Sequence, residues 1–487
     1  TVSTNRKGFM KPCTLFLLVA LLLAPSLSSA QHYQTDFPPE EFQARWHKVF
    51  DQIGDGAVAL VQGYPQTNGF AFPRQYNNMY YLSGIETPHA YILLDGRTRE
   101  TTLYLPPRNE RLERSEGKVL SADDVDLVKT LTGAHHVKST DEMVGNWLRE
   151  LLGRPAASLY VPQSPSEGYA QSRYELLQAS ASIAADYWDG RIPQEQNLVR
   201  LITTRIPNVD LRNLTPILDA MRLIKSEREI DLIRRASQLA GLGMMEAIRS
   251  TEPGLYEYQL DAAARYVFLI NDARLDGYRS ITASGTDNIR NGHYYRNNSR
   301  LKAGDLVLMD YAPDYKYYVS DIGRMWPVNG TYSPVQRELL GIVLAYYKEI
   351  LQRIRPGVTA RQIMDEAAVA MEPVLENWDF SKPIYEAAAR RMVETGGGVF
   401  SHPVGMAVHD VGRYKGKPLV PGLVFSLDPA LRVPEEQLYY RYEDTIVITE
   451  TGFENFTDFL PMELDDIEAL MREEGVLQKV PPTPAWK

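Results

Sequence analysis

Two aspartates in the C-terminal half of the chain are spaced so that they could share a metal ion or a proton. Asp310 ends an apolar run that begins at Leu306, and Asp321 follows a second β-prone run, Tyr317 to Val319. Two strands joined by the intervening turn would place both carboxylates at neighbouring positions of one sheet. Such carboxylates repel each other unless a cation or a proton lies between them. An isolated pair of this kind is more often two solvated turn residues.

Three further ligand-type residues downstream favour the metal ion. His402 follows a glycine-rich segment, and Asp428 ends an apolar strand predicted over Leu423 to Leu427. Glu443 stands near the start of a strand predicted over Tyr439 to Thr449. Each residue alone could be an ordinary ion-paired side chain, but buried carboxylates without partners are costly. Four carboxylates and one imidazole suit Mn²⁺, Fe²⁺, Co²⁺ or Zn²⁺, and two such ions could lie about 3.5–4 Å apart.

The order of these five residues resembles that of the pita-bread metallopeptidases, and in detail their aminopeptidase P and prolidase branch. The resemblance extends over nearly the whole chain after the N-terminal segment. It implies an α+β protein, with an N-terminal mixed α/β domain like that of aminopeptidase P and a C-terminal pita-bread catalytic domain. The motifs that carry it are Arg74-Gln75, Tyr80 to Gly84, Pro107-Arg108, His293-Tyr294-Tyr295, Ser320 to Arg324, Pro327 to Gly330, Val408-His409-Asp410 and Pro421-Gly422.

The resemblance also implies a metal-binding role for each of the five residues. Asp310 would bind one ion, and Asp321 and Glu443 would bridge two. His402 and Asp428 would complete the coordination of the second ion. The implied cofactor is two divalent metal ions, with manganese as the first expectation and zinc, cobalt or iron as alternatives.

The same resemblance implies four catalytic residues. His293 and His409 match histidines that assist the bound peptide and the tetrahedral intermediate. Arg441 matches an arginine beside the bridging glutamate. Asp428 occupies the position to which the general base of the family is usually assigned.

Four positions depart from the family pattern. Asp428 replaces a glutamate, which withdraws the carboxylate by about 1.5 Å. Gly398 replaces a histidine four residues before His402, Gly323 replaces a threonine, and Ala312 replaces a glycine. The shorter acid affects the metal spacing and the geometry of the base. The glycine at 398 removes a donor that would be worth about 2–4 kcal/mol if it acted as an oxyanion-hole group.

The elements that must position these residues follow from length and periodicity. A chain of 487 residues predicts two domains, which we place at residues 31–207 and 217–475, with a C-terminal tail at 476–487. Strands are predicted at 57–61 and 158–161, a hairpin at 89–105 and a helix at 141–152. In the C-terminal half, helices are predicted from the capping box at Ser226, after Pro253-Gly254, and at 334–354 and 359–375.

The N-terminal residues 1–30 have the pattern of a signal peptide. A basic segment with Arg6, Lys7 and Lys11 precedes the apolar run Leu15 to Ala24, and small residues precede Gln31. We therefore expect an exported, periplasmic or secreted protein that has no membrane attachment after cleavage. The single cysteine, Cys13, lies within this segment, which excludes a thiol nucleophile from the mature chain.

Three functions remain open at this point. The first is an exported Xaa-Pro aminopeptidase, which cleaves the peptide bond before proline. The second is a prolidase-like dipeptidase with the same chemistry, and the third is a catalytically impaired descendant that binds peptides or amides. A peptide is the expected partner, and the resemblance implies a homo-oligomer. The net charge of −10 argues against a nucleic-acid partner.

Overall fold

The computed structural model describes residues 33–66, 74–143, 157–396 and 398–483. Within these ranges no helix is both long and apolar enough to cross a membrane. The predicted signal peptide lies outside the described residues, as does most of the helix predicted at 141–152. The α+β class predicted from the sequence is confirmed, since both halves combine helices with sheets that contain antiparallel strands.

The N-terminal half is built on a six-stranded mixed sheet with the order β4-β3-β2-β1-β5-β6. The predicted hairpin is confirmed as the antiparallel pair β2 and β3, while β1, β5 and β6 run parallel. The strands are β1 Ala57–Gln62, β2 Tyr91–Asp95, β3 Glu100–Leu105, β4 His136–Ser139, β5 Ser158–Val161 and β6 Asp210–Asn213. The helices are α1 Pro39–Ile53, α2 Asn77–Ser83, α3 Glu110–Glu116, α4 Val125–Thr132, α5 Arg173–Ala185, α6 Gln194–Arg205 and α7 Thr215–Leu223.

The C-terminal half begins with the long helix α8, which starts at the predicted capping box of Ser226 and Glu229. Its helices are α8 Glu227–Ser250, α9 Glu257–Ile270, α10 Thr286–Ile289, α11 Pro334–Leu351, α12 Ala360–Asn377, α13 Pro383–Thr395, α14 Leu464–Leu470 and α15 Val476–Lys479. Its strands are β7 Leu275–Asp276, β8 Ile281–Ser284, β9 Leu306–Asp310, β10 Pro313–Asp314, β11 Gly323–Pro327, β12 Phe400–Pro403, β13 Val424–Leu427, β14 Ala430–Val433, β15 Leu438–Arg441, β16 Asp444–Ile448 and β17 Phe453–Asn455.

Two sheets of the C-terminal half position the candidate site. One has the order β11-β9-β8 and the other the order β12-β13-β16-β17. A large buried cluster of apolar side chains fills the space between these sheets and the helices α8, α9, α11, α12 and α13. A second cluster joins the two halves, because it contains apolar residues from α1 and α2 together with Tyr317 to Val319 and Val404.

The stretch between the predicted domains is ordered secondary structure. Strand β6 pairs with β5 in the N-terminal sheet, and α7 follows after a single residue and packs against α1. Residues 210–213 are therefore part of the N-terminal sheet, and the helix that packs on this half begins at Thr215. At the other end of the chain, α15 packs against α8, and Leu477 N–H donates to Ser250 Oγ at 3.3 Å. The predicted tail thus starts with a docked helical turn.

The prediction of a strand over Tyr317 to Val319 was wrong. Lys316 and Tyr317 have positive φ angles of 53° and 74°, and Tyr315 pairs with Tyr318 across the turn that they form. The Tyr317 ring stacks on Tyr80 of α2, and its hydroxyl accepts from the Gln75 N–H at 2.9 Å. Packing against the N-terminal half thus outweighs the local preference of this run for a strand.

Two further differences concern elements near the site. The strand predicted over Tyr439 to Thr449 is divided into β15 and β16, because Glu443 leaves the sheet at this point and forms a bridge to Gly323. Helix α13 was not predicted from the sequence. Its signals were a proline in the first turn and buried residues at helical spacing, namely Tyr385, Ala388, Ala389, Met392 and Val393.

Candidate metal centre

Strand pairing brings Asp310 and Glu443 together through Gly323. Asp310 ends β9 and pairs with Gly323, the first residue of β11. Gly323 also exchanges two backbone hydrogen bonds with Glu443, at 3.0 and 3.1 Å. A Cβ atom on Gly323 would lie only 3.0 Å from Glu443 Oε2. Glycine therefore leaves the space that this carboxylate occupies, whereas the threonine of the family pattern would require it to shift.

The second sheet delivers the other two predicted ligands. His402 lies on β12, where the pairing with β13 shifts its register. Asp428 follows the last residue of β13, and its N–H donates to the Val399 carbonyl at 2.8 Å. Because β16 pairs along the other side of β13, Glu443 at the start of β16 reaches the same end of the sheet as Asp428.

A single guanidinium group lies among three of the four carboxylates. Arg441 Nη2 is 2.5 Å from Asp310 Oδ2 and 3.3 Å from Glu443 Oε2, and its Nη1 is 3.7 Å from Asp428 Oδ2. These contacts place Arg441 at the centre of the acidic group. One positive charge cannot neutralise four carboxylates, so the group as a whole carries an excess of negative charge.

The fourth carboxylate, Asp321, faces the imidazole. One ligand atom each from Asp321, His402 and Glu443 lies within 4.8 Å of the others, and His402 Nε2 is 3.2 Å from Asp321 Oδ2. The carbonyl of Pro403 lies 3.2 Å from the other ring nitrogen, His402 Nδ1, and accepts its proton in the neutral tautomer that metal-binding histidines adopt. Nε2 then presents a lone pair to a carboxylate oxygen, an arrangement that needs a cation or a proton between them.

Burial and mutual repulsion shift the pKa values in this group. The pKa of Asp321 is raised to about 7, first by burial and then by the charge of Asp310. Burial likewise raises the pKa values of Asp428 and Glu443 well above their usual range. The pKa of His402 is lowered to about 3 by burial and by the neighbouring His409, so its imidazole is neutral and able to bind a metal ion.

Two buried carboxylate oxygens of this centre have no hydrogen-bond partner among the described residues. They are Asp428 Oδ1 and Glu443 Oε2. Buried polar atoms are nearly always satisfied, so these two oxygens mark places where a group from outside the chain would bind. Their chemistry, together with the other oxygen ligands and one imidazole, fits divalent ions such as Mn²⁺ or Zn²⁺.

The predicted catalytic histidines lie beside this centre. The ring of His409 contacts the ring of His402 edge-on at 4.2 Å and lies 6.0 Å from the ring of His293. His409 Nδ1 is 2.6 Å from Glu175 Oε1. Burial lowers the pKa of His409, but the hydrogen bond and charge of Glu175, with the charges of Asp321 and Asp310, raise it by more.

Sequence analysis overlooked three residues that contact the site. The hydroxyl of Tyr278 donates to Asp310 at 2.6 Å and is 3.2 Å from Asp321, and Ser426 Oγ donates to Glu443 at 2.8 Å. Glu175 comes from the N-terminal half of the chain. Tyrosine, serine and an exposed helical glutamate are too common for their position to be read from one sequence, although Ser426 lies two residues before Asp428.

Comparisons with known proteins agree with this geometry. Residues 231–450 match the sequence profile of metallopeptidase family M24, and residues 42–160 match that of the aminopeptidase P N-terminal domain. A Xaa-Pro aminopeptidase from Haemophilus influenzae is 29% identical over 461 residues, which are 90% of this chain and 99% of that protein. The structure of proline aminopeptidase P II from Yersinia pestis is 30% identical, with a TM-score of 0.70 over 89% of this chain and 99% of that one.

The chain belongs to metallopeptidase family M24. A zinc-substituted Escherichia coli aminopeptidase P in complex with product is similar as well, with 28% identity and a TM-score of 0.70 over 90% of this chain and 99% of that one. The resemblance to the aminopeptidase P branch and the two-domain fold that it implied are therefore confirmed. The protein is a hydrolase of the metallopeptidase class and resembles Xaa-Pro aminopeptidases along nearly all of its length.

Proposed function

We propose that the protein removes the N-terminal residue from peptides whose second residue is proline. The observation that carries this proposal is the meeting of the five candidate ligands, with more negative charge than the chain itself neutralises. Arg441 contacts three of the carboxylates, and one of these, Glu443, also lies beside Asp321 and His402. Support for the substrate class comes from the similar Xaa-Pro aminopeptidases of Haemophilus influenzae and Escherichia coli, which align with this chain over almost their full lengths.

The chain's own residues would hold two divalent ions in the ligand set that the family order implies. The residues that would hold them are Asp310, Asp321, His402, Asp428 and Glu443. Ions bound there would polarise the peptide carbonyl and lower the pKa of a water molecule. Manganese remains our first expectation for their identity.

The residues around the ligands have distinct tasks. Tyr278 donates to Asp310 and Arg441 contacts Asp310 and Glu443, so both hold these carboxylates in place. Asp428 is the candidate general base, because it stands at the position of the base in the family pattern and its Oδ1 has no hydrogen-bond partner among the described residues. His293 and His409 lie at the edge of the centre, where they would assist the bound peptide and the carbonyl oxygen that gains negative charge during hydrolysis. His409 would donate from Nε2 as an imidazolium, the form that its raised pKa favours and in which both ring nitrogens carry protons.

A peptide panel tests this function. We expect manganese-reconstituted protein to cleave Xaa-Pro-Xaa tripeptides and to leave matched Xaa-Ala-Xaa and N-acetylated peptides intact. Cleavage of Xaa-Pro dipeptides alone would instead support the prolidase-like dipeptidase. Metal-loaded protein that binds but hydrolyses none of these peptides would contradict the proposal and support the impaired, peptide-binding descendant.

We also propose that the protein is exported after removal of residues 1–30. The support is the order of a basic segment, an apolar run and small residues before Gln31. N-terminal sequencing of material recovered outside the cytoplasm should start at or near Gln31. A mature protein that retains residues 15–24 would contradict cleavage and point to an anchored form.

A further inference from the structure

The loop that carries His409 is held by residues of the N-terminal half. The His409 N–H donates to Ser172 Oγ at 3.2 Å, immediately before helix α5. The next residue, Asp410, accepts from Arg222 at 2.6 Å, and the same guanidinium is 3.0 Å from Glu167. Asp410, Arg222 and Glu167 are buried. The position of this loop therefore depends on both halves of the molecule.

Helix α5 buries little of its own surface against the rest of the protein. Of its residues only Arg173 is buried, and Arg173 binds Glu167 at 2.6 Å. Two residues further along the helix, Glu175 directs its carboxylate to His409 Nδ1 at 2.6 Å. The Glu175 side chain is 47% exposed, so it adds little to the packing of the protein. Its contact with His409 is the feature that distinguishes it from the rest of the helix.

The chemistry of this contact determines which nitrogen of His409 carries a proton. An ionised carboxylate only accepts hydrogen bonds, so Nδ1 of His409 must be the donor to Glu175. Nε2 of the neutral ring then carries a lone pair, and the ring as a whole lies 4.2 Å from that of His402 and 6.0 Å from that of His293. A carboxylate behind a histidine commonly fixes the tautomer and ring orientation in this way.

We propose that Glu175 is a positioning residue by which the N-terminal half sets the orientation and tautomer of His409 for the reaction. This inference rests on the proposed function, because it assigns His409 a contact with the bound peptide. It also means that the N-terminal half of the chain contributes to the reaction, through helix α5.

Three single variants test the inference on a Xaa-Pro tripeptide. Glu175→Ala should lower kcat by about tenfold, the size of effect typical for such supporting groups, with KM changed by less than about twofold. Glu175→Gln keeps an acceptor oxygen and should retain most of the activity. The matched control is Gln178→Ala, an exposed position on the same helix, and its activity should equal that of the wild type. An unchanged kcat in Glu175→Ala, or a rise in KM alone, would overturn the inference.

A double-mutant cycle separates positioning from a general effect on the fold. In a His409→Gln background, Glu175→Ala should cause no further loss, because its effect passes through His409. An equal further loss in that background would mean that Glu175 acts independently of His409, and the inference would fail.

The tautomer itself provides a readout that does not require activity. In protein labelled with ¹⁵N-histidine and studied at alkaline pH, the ring signals assigned by their loss in His409→Gln should show a protonated Nδ1. Glu175→Ala should alter this pattern, and Glu175→Gln should keep it. A wild-type His409 protonated at Nε2 alone would contradict the inference, whereas inactivity towards Xaa-Pro peptides with the expected tautomer would contradict only the proposed function.

Discussion

Two groups of buried charges in this protein differ in their balance. The junction cluster, composed of Glu167, Arg173, Arg222, Lys225 and Asp410, joins the two halves of the chain. Each of its three cations lies within 3.4 Å of a carboxylate oxygen. The positive charge of Arg222 in turn lowers the pKa of Asp410, although burial alone would raise it. Every charged side chain of this cluster therefore lies beside an opposite charge that the chain supplies, with three cations for two carboxylates.

The metal centre is buried to a similar degree but is not balanced. Its four carboxylates share one guanidinium, that of Arg441, which contacts three of them. The pKa values of three of these carboxylates are raised. Burial alone therefore does not identify a functional site. The sign and excess of the charge distinguish a centre that needs a ligand from one that fastens two domains.

Removing a shared ligand should have the largest effect. Asp321→Ala should reduce activity by more than the roughly 100-fold typical of lost supporting groups, since Asp321 lies beside both His402 and Glu443. Asp310→Ala should reduce metal binding less, because Asp310 lies outside that cluster of three. Metal content and kcat measured for both variants test this order. A greater loss of metal from Asp310→Ala than from Asp321→Ala would contradict the assignment of Asp321 as the shared ligand.

Breaking the junction cluster should affect stability instead. Arg222→Met leaves Asp410 and Glu167 buried without their main partner and should reduce the free energy of unfolding by about 3–5 kcal/mol. The control Arg114→Ala removes an exposed ion pair, whose side chains are 71% and 76% accessible, and should change stability by less than about 0.5 kcal/mol. Thermal unfolding measures both. An Arg222→Met protein that stayed as stable as the wild type but had lost its metal would contradict the claim that the junction cluster stabilises the fold and does not serve metal binding.

Changing the length of an acid tests the geometry of the centre. Asp428→Glu advances the carboxylate by about 1.5 Å and should raise kcat on Xaa-Pro peptides several-fold if the shorter acid merely weakens the site. The converse change, Glu443→Asp, should lower kcat. A fall in kcat/KM for Asp428→Glu would indicate that the pocket has adapted to aspartate and to another substrate.

The smallest effect is expected at Gly398. A Cβ atom there would meet only the Asp428 carbonyl oxygen, at 3.6 Å, but the φ angle is +85°. Gly398→Ala should therefore cost about 1 kcal/mol through backbone strain. Gly452→Ala, with open space and no such φ angle, should be nearly neutral in the same thermal unfolding assay. Equal stability of the two variants would show that the backbone at 398 relaxes, and the histidine of the family pattern could then be restored without cost.

The sequence predicted the elements that have strong local signals. The capping box at Ser226, the hairpin of β2 and β3 and the apolar strand β9 all depend on residues close together in the chain. The five candidate ligands were found because their types and order resemble a known family. That these five residues lie close together in space was predicted only from that resemblance.

Features that depend on distant parts of the chain were missed. Tyr317 reads as part of a strand until the ring of Tyr80 is placed beside it. Glu443 leaves its strand because Gly323, more than a hundred residues earlier, pairs with its backbone. Glu175 is an ordinary exposed residue in the sequence, and its role depends on how the two halves dock. Such contacts follow from tertiary packing, which local patterns do not record.

Calorimetric titration of metal-free protein with Mn²⁺ tests the central claim most directly. We expect two ions per chain, with weaker binding at pH 6 than at pH 8, because metal ions compete with protons at Asp321, whose pKa is raised to about 7. Arg222→Met, compared while still folded, should bind the same number of ions as the wild type. Failure of the folded wild-type protein to bind any divalent ion at pH 8 would contradict the account.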